Sequence, residues 1–340
     1  MHDGPPPPPR TPGTPHAPAP GRPTHWRRPV HLFPGQGDFS VSTLVGSAHT
    51  TPGLRTALRE VFEQVDTVAA ERGLPELGPR LLGTDPPSGR ALANATTGTA
   101  QLALFGASVA IHRALEEAYG VPSAAVGVSF GEIAALTAAG VFTVADGARA
   151  AHDLAIALTF CPGGLTALAC SERSAQTLME EAGATEAVVA VVNDERSVVV
   201  AGPVATLALV EKAAADRRVT AVRLRLPFSS HHPALGHAAW EFAAAVRAYP
   251  RAAARFPVHS AVAGRRYGPC DDLAARLADC LVRPAAVPPV LRQVLGYRPG
   301  VLFEAGTGSA LASSARGALA QNLDPAPPVR APLAEPDFPW

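Results

Sequence analysis

Short apolar runs and helical patterns alternate over the first half of the chain. Residues 30–33 and 124–127 are apolar and stop at Gly-containing turns, which predicts two buried strands. Apolar residues recur at helical spacing over 54–72, 99–119 and 131–139, and a further helix is predicted over 146–158. Strands and helices that alternate in this way predict an α/β fold with a short parallel sheet.

The middle of the chain changes character, because six predicted elements follow one another closely. They are strands over 165–170, 187–192, 197–201 and 220–226, and helices over 172–182 and 204–216. This β-α-β-β-α-β order is that of the ferredoxin-like unit, which can fold as an inserted subdomain. A helix over 234–249, a strand over 301–303 and a closing helix follow it.

The predicted domain organisation places these elements between two Pro-rich ends. A leader over 1–29 lacks the apolar periodicity that would repay the entropy of ordering it, and 324–340 has the composition of a tail. The large α/β subdomain is expected over 30–162 and 228–323, and the small ferredoxin-like subdomain over 163–227.

Composition excludes several classes of function. Charged residues make up 17% of the chain and cancel to a net charge of +0, which gives no basic face for nucleic acid or an acidic membrane. No run of eighteen apolar residues predicts a membrane span, and the leader lacks the apolar segment of a signal peptide. Four cysteines without CxxC spacing (Cys161, Cys170, Cys270 and Cys280) are expected to be buried, reduced thiols in a cytoplasmic protein.

The clearest chemical motif is the Gly-x-Ser-x-Gly sequence from Gly127 to Gly131, between a predicted strand and a predicted helix. In such an elbow the serine sits on a strained turn, and the glycines let strand and helix approach each other closely. The helix N-terminus can stabilise a developing negative charge. Ser129 is therefore the candidate nucleophile, the N–H of Phe130 is the candidate oxyanion donor, and the large subdomain is expected to be α/β-hydrolase-like.

A serine nucleophile needs a base, and the chain has eleven histidines. His231 and His232 stand apart from the others, since they lie in a loop directly after a predicted buried strand. Together with His237 they lack the i, i+4 spacing of zinc ligands on a helix, so we expect no metal site. A dinucleotide site at Gly306 and Gly308 is also disfavoured, because the third glycine of that fingerprint is replaced by Leu311.

Several motifs in order resemble one family. Phe-Pro-Gly-Gln-Gly at 33–37, the elbow, the loop histidine and Phe-Glu-Ala-Gly at 303–306 are similar to the malonyl-CoA:acyl-carrier-protein transacylases, including polyketide synthase acyltransferase domains. Gln-Leu-Ala-Leu-Phe at 101–105 and the segments 192–193 and 198–202 extend the likeness, which covers about 30–320.

The resemblance implies roles for individual residues. Ser129 accepts the acyl group, His231 is its base, and the N–H groups of Gln36 and Phe130 form the oxyanion hole. A main-chain carbonyl near Ala285 or Ala286 orients the histidine, so a triad acid is not required. The substrate pocket is expected to be formed by Gln101, Val128, Leu154, Asn193, Phe228 and His232. No cofactor is implied beyond the acyl-CoA or phosphopantetheinyl carrier-protein substrate.

Two departures from the family pattern affect the expected substrate. Val128 replaces the usual His before the nucleophile. Leu154, or Asp153 after a one-residue slip, stands where malonyl-specific members carry an Arg that binds the substrate carboxylate through two hydrogen bonds. We therefore expect a non-carboxylated short acyl group, such as acetyl or propionyl, in a pocket lined by Leu154, Phe130 and Phe228.

The function expected from these residues is acyl transfer through an acyl-serine in polyketide biosynthesis. The acyl group would pass to an acyl carrier protein, loading a starter unit, or to water, clearing a wrongly primed carrier as a thioesterase. One alternative is a malonyl transacylase whose Arg is Arg149 or Arg223; another is a non-catalytic scaffold that binds carrier protein. We expect a monomer whose acidic carrier protein would meet an arginine cluster drawn from Arg265, Arg266, Arg276 and Arg283.

Overall fold

The computed structural model describes residues 26–37, 39–320 and 325–340. The strands in this part of the chain are β1 (Val30–Phe33), β2 (Ala124–Gly127), β3 (Gly164–Leu168), β4 (Val188–Asp194), β5 (Ser197–Gly202), β6 (Ala221–Arg223), β7 (Val258–Ser260), β8 (Arg265–Arg266), β9 (Ala285–Ala286), β10 (Leu302–Glu304) and β11 (Val329–Arg330).

The helices of the same described residues alternate with these strands in the large subdomain and flank the small sheet. They are α1 (Val41–Thr50), α2 (Pro52–Glu71), α3 (Gly78–Leu82), α4 (Gly89–Ala93), α5 (Thr99–Tyr119), α6 (Gly131–Ala138), α7 (Val144–Leu158), α8 (Glu172–Glu181), α9 (Val204–Asp216), α10 (Gly236–Arg247), α11 (Leu273–Val282), α12 (Val287–Val294) and α13 (Ala310–Ala320).

A mainly parallel sheet forms the centre of the large subdomain, in the order β11-β10-β1-β2-β7-β8. β1 lies between β10 and β2 and pairs with both in parallel register. Every residue of β1 and β2 is buried, as expected of parallel strands covered by helices on both faces. The parallel arrangement brings the carboxyl ends of β1, β2 and β10 together at one edge, where the loops after them meet.

The small subdomain has the ferredoxin-like strand order. Its antiparallel sheet runs β6-β3-β5-β4, and α8 and α9 follow β3 and β5. A separate apolar core that includes Leu178, Val200 and Leu207 lies beneath these helices. Together with the large α/β unit, this confirms the predicted fold class of a mixed α/β protein with an inserted ferredoxin-like subdomain.

One short strand links the two subdomains. β9 belongs to the chain segment after α11, yet it pairs in parallel with β4 of the small sheet. The N–H of Ala286 also donates to the carbonyl of Ala261 in the large subdomain, at 2.9 Å. The small sheet therefore has five strands, and its fifth strand comes from outside the inserted segment.

The ends of the chain differ from the sequence prediction. Residues 1–25 of the predicted leader lie outside the described residues, but Trp26 is buried in the core. The predicted tail contains β11, which pairs with β10, and Phe338, whose ring packs edge-on against Phe303 at 5.6 Å. The Arg330 guanidinium lies 4.9 Å from the Trp26 ring centroid. The Pro-rich composition did not indicate these contacts, because most of them come from three single residues, Trp26, Phe338 and Arg330.

The aromatic contacts of Phe338 predict that the C-terminal segment contributes to stability. Replacing Phe338 with Ala removes a side chain that is 6% exposed, so we expect unfolding to become easier by about 3 kcal/mol. Urea unfolding followed by circular dichroism measures the change. Phe160→Ala is the matched control, since that phenylalanine is 72% exposed. Equal effects of the two substitutions would show that the segment is not part of the cooperative core.

Candidate active site

The turn between β2 and α6 has the geometry of a nucleophile elbow. Ser129 adopts a left-handed backbone with φ of 55°, which is strained for a residue other than Gly. The two glycines of the motif make the close approach possible. A Cβ on Gly131 would lie 2.2 Å from the carbonyl oxygen of Phe33, and one on Gly127 would lie 2.6 Å from the Cα of Glu132. The serine is thus held at the start of a helix and at the edge where the parallel strands end.

His231 lies within hydrogen-bonding distance of the serine. Its Nε2 is 2.9 Å from the Ser129 Oγ, and its Nδ1 is 2.7 Å from the carbonyl oxygen of Arg283. Because a carbonyl only accepts, Nδ1 carries the proton and Nε2 is free to accept the proton of the serine hydroxyl. Burial lowers the pKa of His231 to about 4, and the hydrogen bond to the Arg283 carbonyl offsets part of that shift. The imidazole is therefore a neutral base at neutral pH.

The orienting carbonyl lies two residues before the predicted position. We expected it near Ala285 or Ala286, and the structure shows it at Arg283. The reason is that α11 ends at Val282, and Arg283 is the extended residue that follows it. Ala285 and Ala286 form β9 and pair with β4 instead.

Main-chain hydrogen bonds hold the loop that carries the histidine. The N–H groups of Ser229, His231 and His232 donate to three carbonyls, those of Cys161 at 2.8 Å, Cys280 at 3.2 Å and Leu281 at 2.8 Å. The loop is thus attached to the end of α7 and the end of α11. These bonds stabilise the left-handed backbone of His231, whose φ is 58°.

His232, predicted as a pocket residue beside His231, has two hydrogen-bond partners within the protein. Its Nδ1 accepts from the N–H of Ala234, at 3.2 Å, so Nε2 carries the proton and donates to the Glu186 carbonyl at 2.9 Å. Both ring nitrogens are therefore bonded within the protein and not free to contact a substrate. The ring connects the histidine loop to the small subdomain, which sequence spacing did not indicate because Glu186 contributes only its main chain.

The loop after β1 lies against the elbow on the other side. A Cβ on Gly35 would lie 3.4 Å from the carbonyl oxygen of Val128, and the Nε2 of Gln101 donates to the Oε1 of Gln36 at 2.9 Å. The N–H groups of Gly131 and Glu132 donate to the carbonyls of Val128 and Ser129. This makes the N–H of Phe130 the helix-terminal donor next to the nucleophile, with Gln36 in the facing loop. Gln101, predicted to line the pocket, anchors that loop through its side chain.

Four of the predicted pocket residues are buried apolar side chains. Phe130, Leu154, Val128 and Phe228 are each less than a tenth exposed. The two positions considered on α7 for the family's arginine, Asp153 and Leu154, face different surroundings. Asp153 points to an ion pair with Arg72 at 3.2 Å and accepts a hydrogen bond from Tyr249, whereas the neighbouring Leu154 lies in the core.

The remaining predicted pocket residue, Asn193, is engaged elsewhere. It lies on β4, and its Nδ2 donates to the Oγ of Ser197 across the β4–β5 hairpin at 3.2 Å.

The loop that contains Gly306 and Gly308 packs on the loop after β1. There the Oγ1 of Thr307 accepts from the N–H of Ser40 at 2.7 Å. Gly306 lies against Pro34, which leaves no open cradle for a dinucleotide phosphate at this point.

Within the described part of the chain, no group of three or more His, Cys, Asp or Glu side chains is arranged to hold a metal ion. Among the helices of that same part, none has the length and apolar character needed to span a bilayer. The four cysteines are free thiols, but Cys170 is half-buried and Cys270 is exposed, which differs from the expectation that all four are buried.

Comparison with known proteins agrees with this architecture. A mixed α/β unit with a ferredoxin-like insertion is the fold of known acyltransferase domains. The family model described as acyl transferase domain matches residues 24–337, so the chain belongs to that family of transferases.

Curated relatives of the chain are polyketide synthases. The chain is 30% identical over 313 residues to the spectinabilin polyketide synthase system protein NorA' of Streptomyces orinoci, covering 88% of this chain and 8% of that protein. It is 30% identical over 242 residues to the orsellinic acid synthase of Emericella nidulans, covering 69% of this chain and 11% of that protein. The chain thus spans about a tenth of the length of these relatives.

Solved structures share the fold at lower identity. The malonyl-CoA:acyl carrier protein transacylase of Xanthomonas oryzae pv. oryzae superposes with a TM-score of 0.78 at 24% identity, covering 92% of this chain and 96% of that one. A loading acyltransferase from the avermectin modular polyketide synthase superposes with a TM-score of 0.75 at 22% identity, covering 90% and 94%. At these identities the likeness concerns the fold alone.

The bonds of His232 predict that it helps to hold His231 in place. Replacing His232 with Ala should slow attack by the Ser129 hydroxyl on an electrophile by about tenfold, because a small displacement of the base lengthens the contact on which proton transfer depends. Intact-protein mass spectrometry during reaction with a serine-reactive fluorophosphonate gives the rate. His237→Ala is the control, since His237 is exposed on α10. If His232→Ala reacts as fast as wild type, the link to the small subdomain does not position the base.

Proposed function

We propose that this chain transfers a short, non-carboxylated acyl group, such as acetyl or propionyl, through an acyl-serine on Ser129. The donor is acyl-CoA or an acyl carrier protein, and the acceptor is a carrier-protein thiol or water, in polyketide biosynthesis. The observation that supports this substrate class is Leu154, a buried apolar residue where the malonyl-specific proteins that the sequence resembles carry an arginine.

The site geometry supports a two-step reaction. His231 Nε2 removes the proton from the Ser129 hydroxyl as the oxygen attacks the thioester carbonyl, and the N–H groups of Gln36 and Phe130 face the developing oxyanion. The tetrahedral intermediate collapses, the C–S bond breaks, and the thiolate takes the proton from Nε2. In the second step a carrier thiol or water gives its proton to Nε2 and attacks the acyl-serine. The bond between the acyl carbon and the Ser129 oxygen then breaks, and Nε2 returns the proton to that oxygen, which restores the free serine.

Electrostatics disfavours a carboxylated substrate in this pocket. A malonyl carboxylate placed beside Leu154 would lose its water without gaining a cation, at a cost of several kcal/mol, or roughly 10³-fold in selectivity. The two arginines considered as substitutes have other partners. Arg149 pairs with Glu71 and Asp146, each at 2.7 Å, and Arg223 pairs with Glu211 at 2.7 Å in the small subdomain.

A non-catalytic scaffold is less well supported. The Ser129–His231 hydrogen bond, the Arg283 carbonyl and the strained elbow form a set that carrier-protein binding alone does not require. The backbone strain at Ser129 would have no use in a protein that only binds.

The proposed carrier-protein surface has less free positive charge than the sequence suggested. Arg265 pairs with Asp271 at 2.6 Å, and Arg276 and Arg283 both pair with Asp279, at 3.0 and 3.5 Å. Arg283 nevertheless lies at the site, because its carbonyl orients His231 while its side chain is 60% exposed. An acidic carrier protein would meet Arg283 and the exposed Arg266 first.

Exposure of the protein to a panel of acyl thioesters tests the substrate class. We expect acetyl-CoA and propionyl-CoA to acylate Ser129, with malonyl-CoA slower by about 10³-fold. Intact-protein mass spectrometry detects the adduct, and Ser129→Ala should show none. Adding a carrier protein then separates transfer, in which the carrier gains the acyl group, from hydrolysis, in which free acid appears.

Two variants at one position sharpen the test. Leu154→Arg should shift the preference toward malonyl-CoA, because the guanidinium can bind the carboxylate. Leu154→Met keeps the volume and apolar character, so it should keep the wild-type preference. Rapid malonyl labelling of the wild-type serine would instead identify a malonyl transacylase, and no adduct from any thioester would favour the scaffold.

A further inference from the structure

Glu132 is a buried acid directly beneath the elbow, and the reaction described above gives it no part. It is the second residue of α6, its N–H donates to the Ser129 carbonyl at 2.9 Å, and it is 1% exposed. All eight residues of α6 are buried, and Glu132 is the one charged residue among them. Its charge therefore does not serve a solvent-exposed helix face. Burial of a carboxylate lowers the stability of the folded state unless its hydrogen-bond partners compensate. The partners of Glu132 are therefore the place to look for its role.

The partners of this carboxylate come from the segment around β7 and β8. Its Oε1 accepts from the Oγ of Ser260 at 2.8 Å and from the N–H of Val262 at 3.3 Å. Its Oε2 accepts from the hydroxyl of Tyr267. Gly127, the last residue of β2, packs directly on the Glu132 side chain, since a Cβ there would lie 2.8 Å from its Cγ. The acid therefore occupies the inside of the strand–helix turn.

The same segment continues to the residues that hold the base. Ala261 donates to the carbonyl of Gly127 at 3.0 Å, and its own carbonyl accepts from the N–H of Ala286 at 2.9 Å. Ala286 lies three residues after Arg283, whose carbonyl accepts the hydrogen bond from the Nδ1–H of His231. Glu132 therefore lies one helical turn from Ser129. Its carboxylate also bonds the segment 260–262, to which the residues after Arg283 are attached.

We propose that the Glu132 carboxylate is a positioning residue that sets the nucleophile and the base of this site in a fixed relation. This rests on the proposed function, because it assumes that Ser129 and His231 are the reacting pair. The three donors each need an acceptor oxygen at the centre of the turn, and a carboxylate supplies two with lone pairs directed to both sides. A neutral amide supplies one, and its NH₂ group must turn toward a hydroxyl.

The ionisation behaviour of Glu132 lets a positioning role be separated from a structural one. Burial raises the pKa of Glu132 to about 7, Asp279 adds to the shift, and the hydrogen bonds from Tyr267, Ser260 and Val262 oppose it. Burial also raises the pKa of Tyr267 and of Cys280, the other ionisable groups facing this acid, so both stay neutral. A raised carboxyl pKa means that stability is lost as pH rises from about 4.5 to about 7, because the folded state resists ionisation.

Glu132→Gln should therefore be no less stable than wild type at pH 8, yet slower. We expect the rate of fluorophosphonate labelling of Ser129 to fall by about 10- to 100-fold, because displacement of either group lowers the fraction of reactive geometries. The midpoint of thermal unfolding at pH 8 should stay equal or rise. The wild-type rate should decline as pH falls through about 7, and this inflection should be missing from the variant.

Matched controls accompany the variant. Glu172→Gln changes an exposed acid in the first turn of α8 and should leave the rate and its pH profile unchanged. Tyr267→Phe removes one donor and should slow labelling less than Glu132→Gln does. The double variant should be no slower than Glu132→Gln alone, since both act through one network. If Glu132→Gln does not fold, Tyr267→Phe still tests the role, because loss of its hydrogen bond should slow labelling and move the inflection to higher pH.

The outcomes separate this inference from the proposed function. Wild-type protein that is not labelled at Ser129 contradicts both. Labelled wild type together with a Glu132→Gln rate within twofold of it, or with an unchanged inflection near pH 7, contradicts the positioning role alone. A rate loss that is matched by loss of thermal stability at pH 8 would assign Glu132 to the fold and not to the site.

Discussion

The imidazole of His231 lies between two oxygen atoms, and the chemistry of the site depends on both distances. The Arg283 carbonyl accepts from Nδ1 and so leaves Nε2 able to accept from Ser129. A carbonyl carries no net charge, so it fixes the tautomer without holding an ion pair in the interior. The acceptor must then be placed by the backbone, because no side-chain rotamer can adjust it. This explains why the end of α11, the histidine loop and the elbow are linked by so many main-chain hydrogen bonds.

Backbone strain accompanies this arrangement at both Ser129 and His231. Ser129 and His231 each have a positive φ, which costs of order 1 kcal/mol or more and persists only where the surroundings enforce it. At Ser129 the enforcing contacts are the tight approaches of Gly127 and Gly131, and at His231 they are the bonds to the ends of α7 and α11. The strained turns direct both side chains toward the edge where the parallel strands end.

Much of the fold could be predicted from hydrophobic spacing, since the long helices and the ferredoxin-like order carry strong periodicity. Spacing did not indicate β7, β8, β9 or β11, because their two or three residues carry no apolar pattern that marks a strand. At the site, the serine and the histidine followed from motif and resemblance. The Arg283 carbonyl could not be predicted as closely, because a main-chain acceptor leaves no trace in residue type. The partners of His232 could not be predicted for the same reason, as they are a carbonyl and an N–H.

The two-residue strand β9 pairs with the small sheet and is hydrogen-bonded to the segment that follows β7 of the large one. Ala285 and Ala286 pair with β4, while the carbonyl of Arg283, two residues earlier, accepts a hydrogen bond from the Nδ1–H of His231. The pairing with β4 therefore ties the small sheet to the segment that orients the His231 imidazole. A displacement of the small sheet would pull on that segment and lengthen the hydrogen bond to Nδ1. In the proposed reaction, a bulky acyl group that displaced the small subdomain would also disturb the base that activates Ser129.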